Sequence, residues 1–179
     1  MAAAVTLKDK NGIRFNSGNL FLVKLGSGAW EGLGHVMGGK LDVKADKNSI
    51  VLADGETVSK RGKREGNFAV TLAQTDKAVL DRLMALSGQS VAAYYYNGAE
   101  GTKYQEIYIP ALEVIEDVSL DMKGQQHQSV VLMGAMNPAD SGTATCTPDT
   151  DLPDEAKATG VTAIDSDNPY FVVLETAIT

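Results

Sequence analysis

The chain has 179 residues, 44% hydrophobic and 22% charged, with a formal net charge of −7. This composition is typical of a globular protein with its own core, and it excludes a wholly disordered chain. No apolar run approaches the roughly 20 residues that a membrane-spanning helix needs, and Lys8 interrupts the apolar start too early for a signal peptide. The single cysteine, Cys146, excludes an internal disulfide. We therefore expect a protein made and kept in a cytoplasm.

The negative charge is concentrated at one end of the chain. Residues 138–179 hold eight acidic residues against one base, Lys157, and the acids and bases before residue 138 cancel. This shift in composition predicts a boundary near Asn137 and Pro138. We expect a β core over residues 1–137 and an acidic C-terminal extension over residues 138–179.

Alternation of apolar and polar residues is the main signal before that boundary, and it is typical of strands with one buried face. In 41–46, Leu41, Val43 and Ala45 are predicted to face inward. Comparable patterns, several rich in β-branched or aromatic residues, predict further strands at 19–25, 68–72, 91–96, 105–109, 111–115, 118–123 and 129–136. Pro110 within such a run indicates an edge or a bulge. The core is therefore predicted to be mainly β and antiparallel.

One segment has helical spacing instead. Thr75 can cap a helix that ends near Ser87 and Gly88. Its apolar positions are Val79, Leu80, Leu83 and Met84. We expect one amphipathic helix packed against the sheets.

Glycine-rich and polar stretches predict loops at 26–39, 47–66 and 97–101. The second is the longest, and its residues 50–52 could form a short strand. It also holds the densest basic run, Lys60, Arg61, Lys63 and Arg64. Such a run is either a solvated loop or, as we prefer, a contact with an acidic surface of another subunit, because complementary charge sets register.

Residues that could carry chemistry do not form a recognisable site. Gly26-Ser27-Gly28 lacks the helix that a dinucleotide-binding turn requires. His35 and His127 have neither triad context nor metal-ligand spacing. The acidic residues that could bind calcium lack EF-hand spacing, so a solvated acidic segment is expected: Asp149, Asp151, Asp154, Glu155, Asp165 and Asp167. We predict no catalytic, cofactor or metal site.

The order of features resembles the major tail tube proteins of tailed phages over roughly residues 11–137. The resemblance starts with GAWEGLGHV at 28–36 and the alternating strand from Leu41. It continues through the long loop to REGNFAVTLAQT at 64–75 and the short helix. It depends on the order of strands and turns.

This resemblance implies two packed antiparallel sheets, a β-sandwich or barrel, flanked by one α-helix. It further implies a structural virion subunit and no enzyme. Six copies would close a ring, and stacked rings would form a conduit for genomic DNA that is not specifically bound. Residues 48–66 would be the long inter-ring loop. Implied partners are other copies, a tape-measure protein, a tail terminator and a baseplate or tip protein, with no membrane and with assembly in the host cytoplasm.

A DNA conduit should avoid strong attraction to phosphate. Acidic residues on the lumen side would achieve this, and the candidates are Asp42, Asp46, Glu113, Asp117 and Asp121. Alternation alone does not assign them to the lumen, because the outer face is polar as well.

Two other classes of protein share parts of this pattern. A monomeric β-sandwich module that binds carbohydrate could use Trp30 and Tyr94-Tyr95-Tyr96 as an aromatic platform. A hydrolase using the extension's carboxylates would need a pocket and supporting residues that the sequence does not indicate. The extension itself is either flexible or docked through a strand at 170–174, and we expect an ordered end after a mobile connection.

Overall fold

The computed structural model describes residues 19–33, 36–51, 53, 56–73, 77–100, 103–115, 119–121, 129–139, 145–165 and 169–178. The strands are β1 (Asn19–Leu25), β2 (Glu31–Gly32), β3 (Val36–Val51), β4 (Thr57–Leu72), β5 (Ser90–Glu100), β6 (Lys103–Val114), β7 (Ser119–Asp121), β8 (Ser129–Met136), β9 (Thr145–Cys146), β10 (Thr162–Ala163) and β11 (Val172–Ala177). The helices are α1 (Lys77–Leu86) and α2 (Pro148–Asp151). No helix within these residues is long and apolar enough to cross a bilayer.

Nine of the strands form one antiparallel sheet, in the order β2-β1-β5-β6-β8-β4-β3. β11 pairs with one part of β6, and β7 pairs with one part of β8. β9 and β10 form a separate two-stranded ribbon. The predicted mainly β, antiparallel fold is confirmed.

The large sheet folds over on itself to make two layers. β6 and β8 are joined by a short ladder, from Leu112↔Met136 to Val114↔Gly134. Across the layers, the Phe21 and Phe68 rings lie 5.7 Å apart between centroids. Within the described residues the end strands β2 and β3 do not pair with each other, so the layers form an open sandwich rather than a closed barrel.

Two apolar clusters lie on opposite faces of the layer formed by β1, β5, β6 and β11. The first cluster fills the space between the two sheet layers and takes Phe21, Tyr95 and Ile109 from this side. The second lies on the other face and includes Leu22 and Tyr94. Successive strand residues point to opposite faces, so one layer serves both clusters.

Helix α1 covers one part of the first cluster. Val79, Leu83 and Leu86 are buried, as the spacing predicts for the first two. Met84, however, is 62% exposed, so its assignment to the apolar face was wrong. The proposed cap, Thr75, lies outside the described residues. Four-residue α2 is a second helix that the sequence pattern did not indicate.

The prediction of a loop at 47–66 was wrong for most of its length. β3 and β4 pair from Val36↔Leu72 to Val51↔Thr57, so the basic run lies on a strand of a long hairpin. The loops at 26–39 and 97–101 are likewise shortened by β2, by the start of β3 and by the end of β5. In a two-stranded ribbon with neither face in the core, burial does not require apolar and polar residues to alternate. Because alternation is the signal used to predict strands, these strands were not predicted.

Pro110 lies inside β6, where an irregularity was expected. The register between β5 and β6 shifts between Val91↔Leu112 and Ala93↔Ile109. β6 therefore has one extra residue at this point, as in a bulge. A bulge tolerates proline because the ladder hydrogen bond is already interrupted. This prediction is confirmed.

The end of the acidic extension packs on the core. β11 pairs with β6 from Val172↔Tyr108 to Ala177↔Lys103, which confirms a strand close to the predicted 170–174. Tyr170 is buried in the first cluster, and its hydroxyl donates a hydrogen bond to the Arg64 carbonyl at 2.6 Å. The connection predicted to be mobile spans residues 140–153, of which 140–144 lie outside the described residues. The prediction was wrong for 145–153, which hold β9 and α2 and bury Cys146 and Leu152.

Candidate functional site

The β3–β4 hairpin extends beyond the rest of the sheet. β8 pairs with β4 only from Gly66 to Leu72, whereas β3 pairs with β4 as far as Thr57. Residues 44–51 and 57–65 therefore pair only with each other, and we call them the arm. At roughly 3.3 Å per residue the nine residues 57–65 span about 30 Å. The bond from Tyr170 to the Arg64 carbonyl braces the base of the arm.

Both long edges of the arm lack a neighbouring strand within the described part of the chain. Such edges present backbone N–H and C=O groups that can pair with another chain. Apolar side chains near them are exposed to water, Val43 at 38% and Val51 at 69%. Of the inward positions predicted in 41–46, only Leu41 packs against the first cluster, while Val43 and Ala45 lie beyond it. The arm is therefore an extended two-stranded segment whose edges are unpaired within the described residues.

The four basic residues predicted to make intersubunit contacts all lie on the arm. Lys60 is opposite Asn48 in the strand register, and Arg61 is opposite Lys47. Arg64 is opposite Ala45, next to a register shift that leaves Lys63 at a bulge. Like charges on directly opposite residues destabilise a strand pair. The register of the arm contains one such like-charge pair, Arg61 and Lys47, and one pair of opposite charge, Lys44 and Glu65.

The layer formed by β3, β4 and β8 has an outward face that continues onto β6. Asp42, Asn67, Ala135 and Glu113 are successive partners across four strands and so share this face. Their neighbours Phe68 and Met136 point the other way, into the first cluster. Asp42 and Glu113 are separated by three strand spacings, roughly 14 Å along the sheet. The structure thus brings two of the five predicted lumen acids into one row.

Asp42 is balanced by neighbouring bases. Lys40 Nζ lies 2.6 Å from Asp42 Oδ2, and this hydrogen bond lowers the pKa of Asp42 below its ordinary value. Lys44 on the same strand contributes in the same direction. The pair is exposed, so it contributes little to stability. Around Asp42 the outward face is therefore of mixed charge rather than strongly acidic.

Of the other three acids and Glu113, the structure describes the side chain of Glu113 only. Glu113 is exposed and accepts a 3.4 Å hydrogen bond from Asn137 Nδ2. Asp121 ends β7 opposite Ser129, and Asp46 lies on β3, but the side chains of both are outside the described part. Asp117 is also outside it.

The aromatic platform proposed for a carbohydrate-binding module does not form. Tyr94 and Tyr95 are both buried, in the second and first cluster respectively. Trp30 packs edge-on against Tyr94, with ring centroids 6.4 Å apart, and so acts as a packing anchor. Consecutive strand residues cannot share one face. Tyr96 is half-buried against the second cluster, with its ring centroid 6.1 Å from that of Tyr104. The three tyrosines therefore do not form one exposed platform.

Among the described residues, no group of three or more acidic, histidine or cysteine side chains is arranged to hold a metal ion. Asp151 has a structural role, because its Oδ2 accepts the Thr147 backbone N–H at 2.7 Å at the start of α2. Asp149, Asp154, Glu155 and Asp165 are exposed. His35, His127 and Asp167 lie outside the described residues.

Sequence reasoning placed Tyr170 in a docking strand at 170–174 without indicating its contact with the arm, and it missed the burial of Glu106. Tyr170 braces the arm through a contact that spans most of the chain, and Glu106 is a fully buried carboxyl in the second cluster region. Glu106 follows Gln105 in a polar stretch and resembles an exposed strand residue. Nothing in the neighbouring sequence distinguishes a buried glutamate on a strand from an exposed one.

No protein-family model and no curated protein sequence matches the chain. Among solved structures, a chain in the tail of an empty gene transfer agent particle, computed with helical refinement and C6 symmetry, is similar with a TM-score of 0.49. It is 16% identical, and the match covers 70% of this chain and 95% of that one. A chain in the virion of a native gene transfer agent particle is similar with a TM-score of 0.45. It is 13% identical, and the match covers 66% of this chain and 92% of that one.

Proposed function

We propose that this chain is a structural subunit of a phage tail tube, in which six copies close a ring and rings stack into a hollow conduit for DNA. The role is one of assembly and not of catalysis. Other tail proteins, a tape-measure protein, a terminator and a baseplate or tip protein, would meet the tube at its ends. The protein would act in the virion, after assembly in the host cytoplasm.

The arm is the observation that carries this proposal. A two-stranded hairpin is marginally stable by itself, and its unpaired edges invite uncontrolled association. Yet β3 and β4 pair along their whole length here. Contacts with neighbouring copies would cover these edges, and a closed ring gives every copy the same neighbours. The arm also coincides with residues 48–66, the segment that the resemblance to tail tube proteins implies for stacking.

The charges of the chain suggest how rings would stack in register. The arm contains Lys60, Arg61 and Lys63, whereas the C-terminal extension presents the exposed acids Asp149, Asp154 and Glu155. Surfaces of opposite charge on one chain can attract each other between neighbouring copies. Such complementarity favours one docking geometry over others. We assign the acidic extension of the neighbouring ring as the partner of the basic arm.

The outward face of β3, β4 and β8 is the candidate wall of the conduit. Asp42 and Glu113 lie on it together with Lys40 and Lys44. A wall of nearly balanced charge attracts DNA phosphates only weakly, so that DNA can slide past it.

Negative-stain electron microscopy across protein concentrations, with size-exclusion chromatography in parallel, tests this function. Rings or hollow tubes are expected as concentration rises. A chain that stays monomeric at every concentration, also when an end protein of a tail is added as initiator, would contradict the proposal.

The arm is tested with a double variant, Lys60→Glu/Arg61→Glu. We expect rings to persist while stacking into tubes is lost, and the far-ultraviolet circular dichroism to remain that of the parent. The control is Lys77→Glu/Lys103→Glu, which changes the net charge equally at two exposed positions on α1 and β6. It also breaks exposed ion pairs with Asp81 and Glu175, which contribute little to stability. Tubes should form with the control. Normal tubes from the arm variant would refute the assignment.

A charge exchange identifies the partner of the arm. Asp149→Lys/Asp154→Lys should block stacking alone, and tubes should return when it is mixed with the arm variant, because opposite charges again face each other. Failure of every mixture to stack would show that the arm docks elsewhere, without excluding a tube.

A further inference from the structure

The second apolar cluster is covered by a short segment of the C-terminal extension. Residues 145–158, here called the strap, run over the face of the sheet that carries Leu22, Tyr94 and Tyr108. Cys146 and Leu152 of the strap are buried there, and Ala156 and Ala158 pack at its border. The strap holds only a two-residue strand and a single turn of helix, so most of its stability comes from this contact.

Glu106 lies beneath the strap and is fully buried. It is on β6, opposite Tyr96 of β5 and Leu174 of β11. Its Oε1 accepts two hydrogen bonds, one from the Tyr94 hydroxyl within the sheet and one from the Lys157 backbone N–H at 2.6 Å. The second bond connects the sheet to the strap. Glu106 is therefore the polar link between the two.

Only one of the two carboxyl oxygens of Glu106 has a hydrogen-bond partner among the described residues. Glu106 Oε2 is buried without a hydrogen-bond partner among the described residues. Lys157 contributes its backbone N–H, and no ion pair joins Glu106 to a cation within the same residues. A buried carboxyl oxygen without a hydrogen-bond donor destabilises the closed strap. If the strap opened, water could donate a hydrogen bond to this oxygen and remove that cost.

The strap also brings acidic groups toward this carboxyl. Burial, helped by Asp151 and then Glu106, raises the pKa of the Cys146 thiol to about 12. Burial, a hydrogen bond to Glu106 and, more weakly, the charge of Glu155 raise the pKa of Tyr94. Asp151 and Glu155 of the strap therefore lie within electrostatic range of the region around Glu106. Any two of these carboxylates that are ionised together repel each other, which would oppose docking of the strap.

We propose that the strap opens locally from the sheet while the rest of the fold stays intact, and that Glu106 sets the balance between the closed and open strap. Its hydrogen bond to Lys157 holds the strap, and its unsatisfied oxygen and the acids above it favour release. Opening would uncover the apolar face of Leu22, Tyr94 and Tyr108. This device is independent of the tube proposal, because it needs only one copy of the chain.

Cys146 reports on the opening, since it is the only cysteine of the chain and is buried under the strap. The rate at which a thiol reagent labels Cys146 in the full-length protein is measured at one pH in increasing, sub-denaturing urea. Labelling through local opening should depend weakly on urea, because little surface is exposed. Labelling whose urea dependence equals that of global unfolding would overturn the proposal.

Two substitutions test the role of Glu106. Glu106→Ala removes the acceptor of the Lys157 bond, and we expect labelling to rise at least about tenfold beyond any change in global unfolding, as the loss of a buried hydrogen bond implies. A rise that only matches the change in global stability would refute the role of Glu106.

Glu155→Gln keeps Glu106 intact and should preserve the fold. Removing one like charge should slow labelling roughly two- to fivefold, the range for an exposed charge pair. Asp154→Asn is the matched control, because Asp154 is equally exposed and adjacent in sequence, and it should leave the rate unchanged. If both variants changed the labelling rate equally, the opening of the strap would depend on the net charge of the chain and not on charges near Glu106.

Discussion

Tyr94 and Tyr95 show at the scale of single residues how one strand serves two cores. Tyr94 points to the second cluster and donates to Glu106. Tyr95 points to the first cluster, 5.9 Å from the Phe68 ring between centroids. A Cβ added to Gly39 would lie 2.9 Å from the Tyr95 ring, so the chain also needs glycine at that contact. The tyrosine run is therefore explained by packing on both faces.

Burial of Cys146 and Tyr108 predicts a loss of stability in alkali. Burial raises the pKa of the Cys146 thiol from about 9 to about 12, and that of the Tyr108 hydroxyl from about 10 to about 12. In this range the unfolded chain loses these protons first, so the folded state binds more protons. The stabilisation is complete below pH 9 and is lost as the pH rises toward 12. Each group contributes a slope of up to about 1.4 kcal/mol per pH unit.

The measurement is the free energy of unfolding in urea between pH 7 and pH 11. Cys146→Ala should reduce the decline between pH 9 and pH 10, because in the unfolded chain the thiol begins to titrate before the tyrosine hydroxyls do. Its slope with pH is compared with the parent's, since the substitution also changes packing. A parent whose stability is constant up to pH 11 would contradict the prediction.

At the scale of elements, β8 explains how the sheet turns from one layer to the other. It pairs with β4 from Gly66↔Met136 to Leu72↔Val130, and at its far end also with β6. Gly134 lies in this shared region, opposite both Phe68 and Val114. A Cβ at this position would lie 2.6 Å from Leu112 Cγ and 3.0 Å from the Glu113 carbonyl oxygen. The close approach of β6 therefore depends on glycine.

Gly134→Ala should destabilise the fold by roughly 1–3 kcal/mol, because the added methyl group overpacks a junction that backbone atoms help to form. Gly38→Ala is the matched control on β3, where an added Cβ meets nothing within 4 Å. It should be neutral or stabilise by up to about 1 kcal/mol. Urea midpoints measure both changes. Equal midpoints would mean that the sheet junction tolerates side chains.

At the scale of the whole molecule, the chain is three layers with an arm. The strap, the β1-β5-β6-β11 layer and the β8-β4-β3 layer enclose the two clusters in succession. The C-terminal segment closes this stack through β11, Tyr170 and the bond to Glu106. A fold built this way holds the described part of its extension against the core, while the edges of the arm stay unpaired within the described residues.

Truncation after Ala139 tests the boundary predicted near residue 138. The shortened chain would lose β11 and the strap, which exposes Tyr108 and the Glu106 carboxyl to water. We expect loss of the near-ultraviolet circular dichroism signal and of cooperative thermal unfolding, because several buried apolar side chains are removed together.

The control deletes residues 178–179 only, beyond the last paired residue, Ala177. It should unfold like the parent. A chain of residues 1–139 that unfolds cooperatively with native aromatic signals would contradict the expectation, and would establish the extension as a separable unit.

The sequence by itself determined the strands that have one face in a core and one in water, as well as helix α1 and the bulge at Pro110. These depend on local causes, since burial of one face imposes alternation and the proline ring removes a ladder donor. Composition also located the acidic extension. The basic run was recognised as a contact candidate, although it was assigned to a loop.

Only the tertiary structure decided which residues meet across strands and layers. Beyond residue 46 the arm has no core face and no alternating pattern, so residues 47–66 were predicted as a loop. Glu106 is buried because the strap, which contacts it through Lys157, 51 residues later in the sequence, packs over β6. Asp42 and Glu113 share a face because three ladders place them in one row. The local pattern indicates which face of a strand is buried, but it does not specify which distant strands pair or which segment returns to cover them.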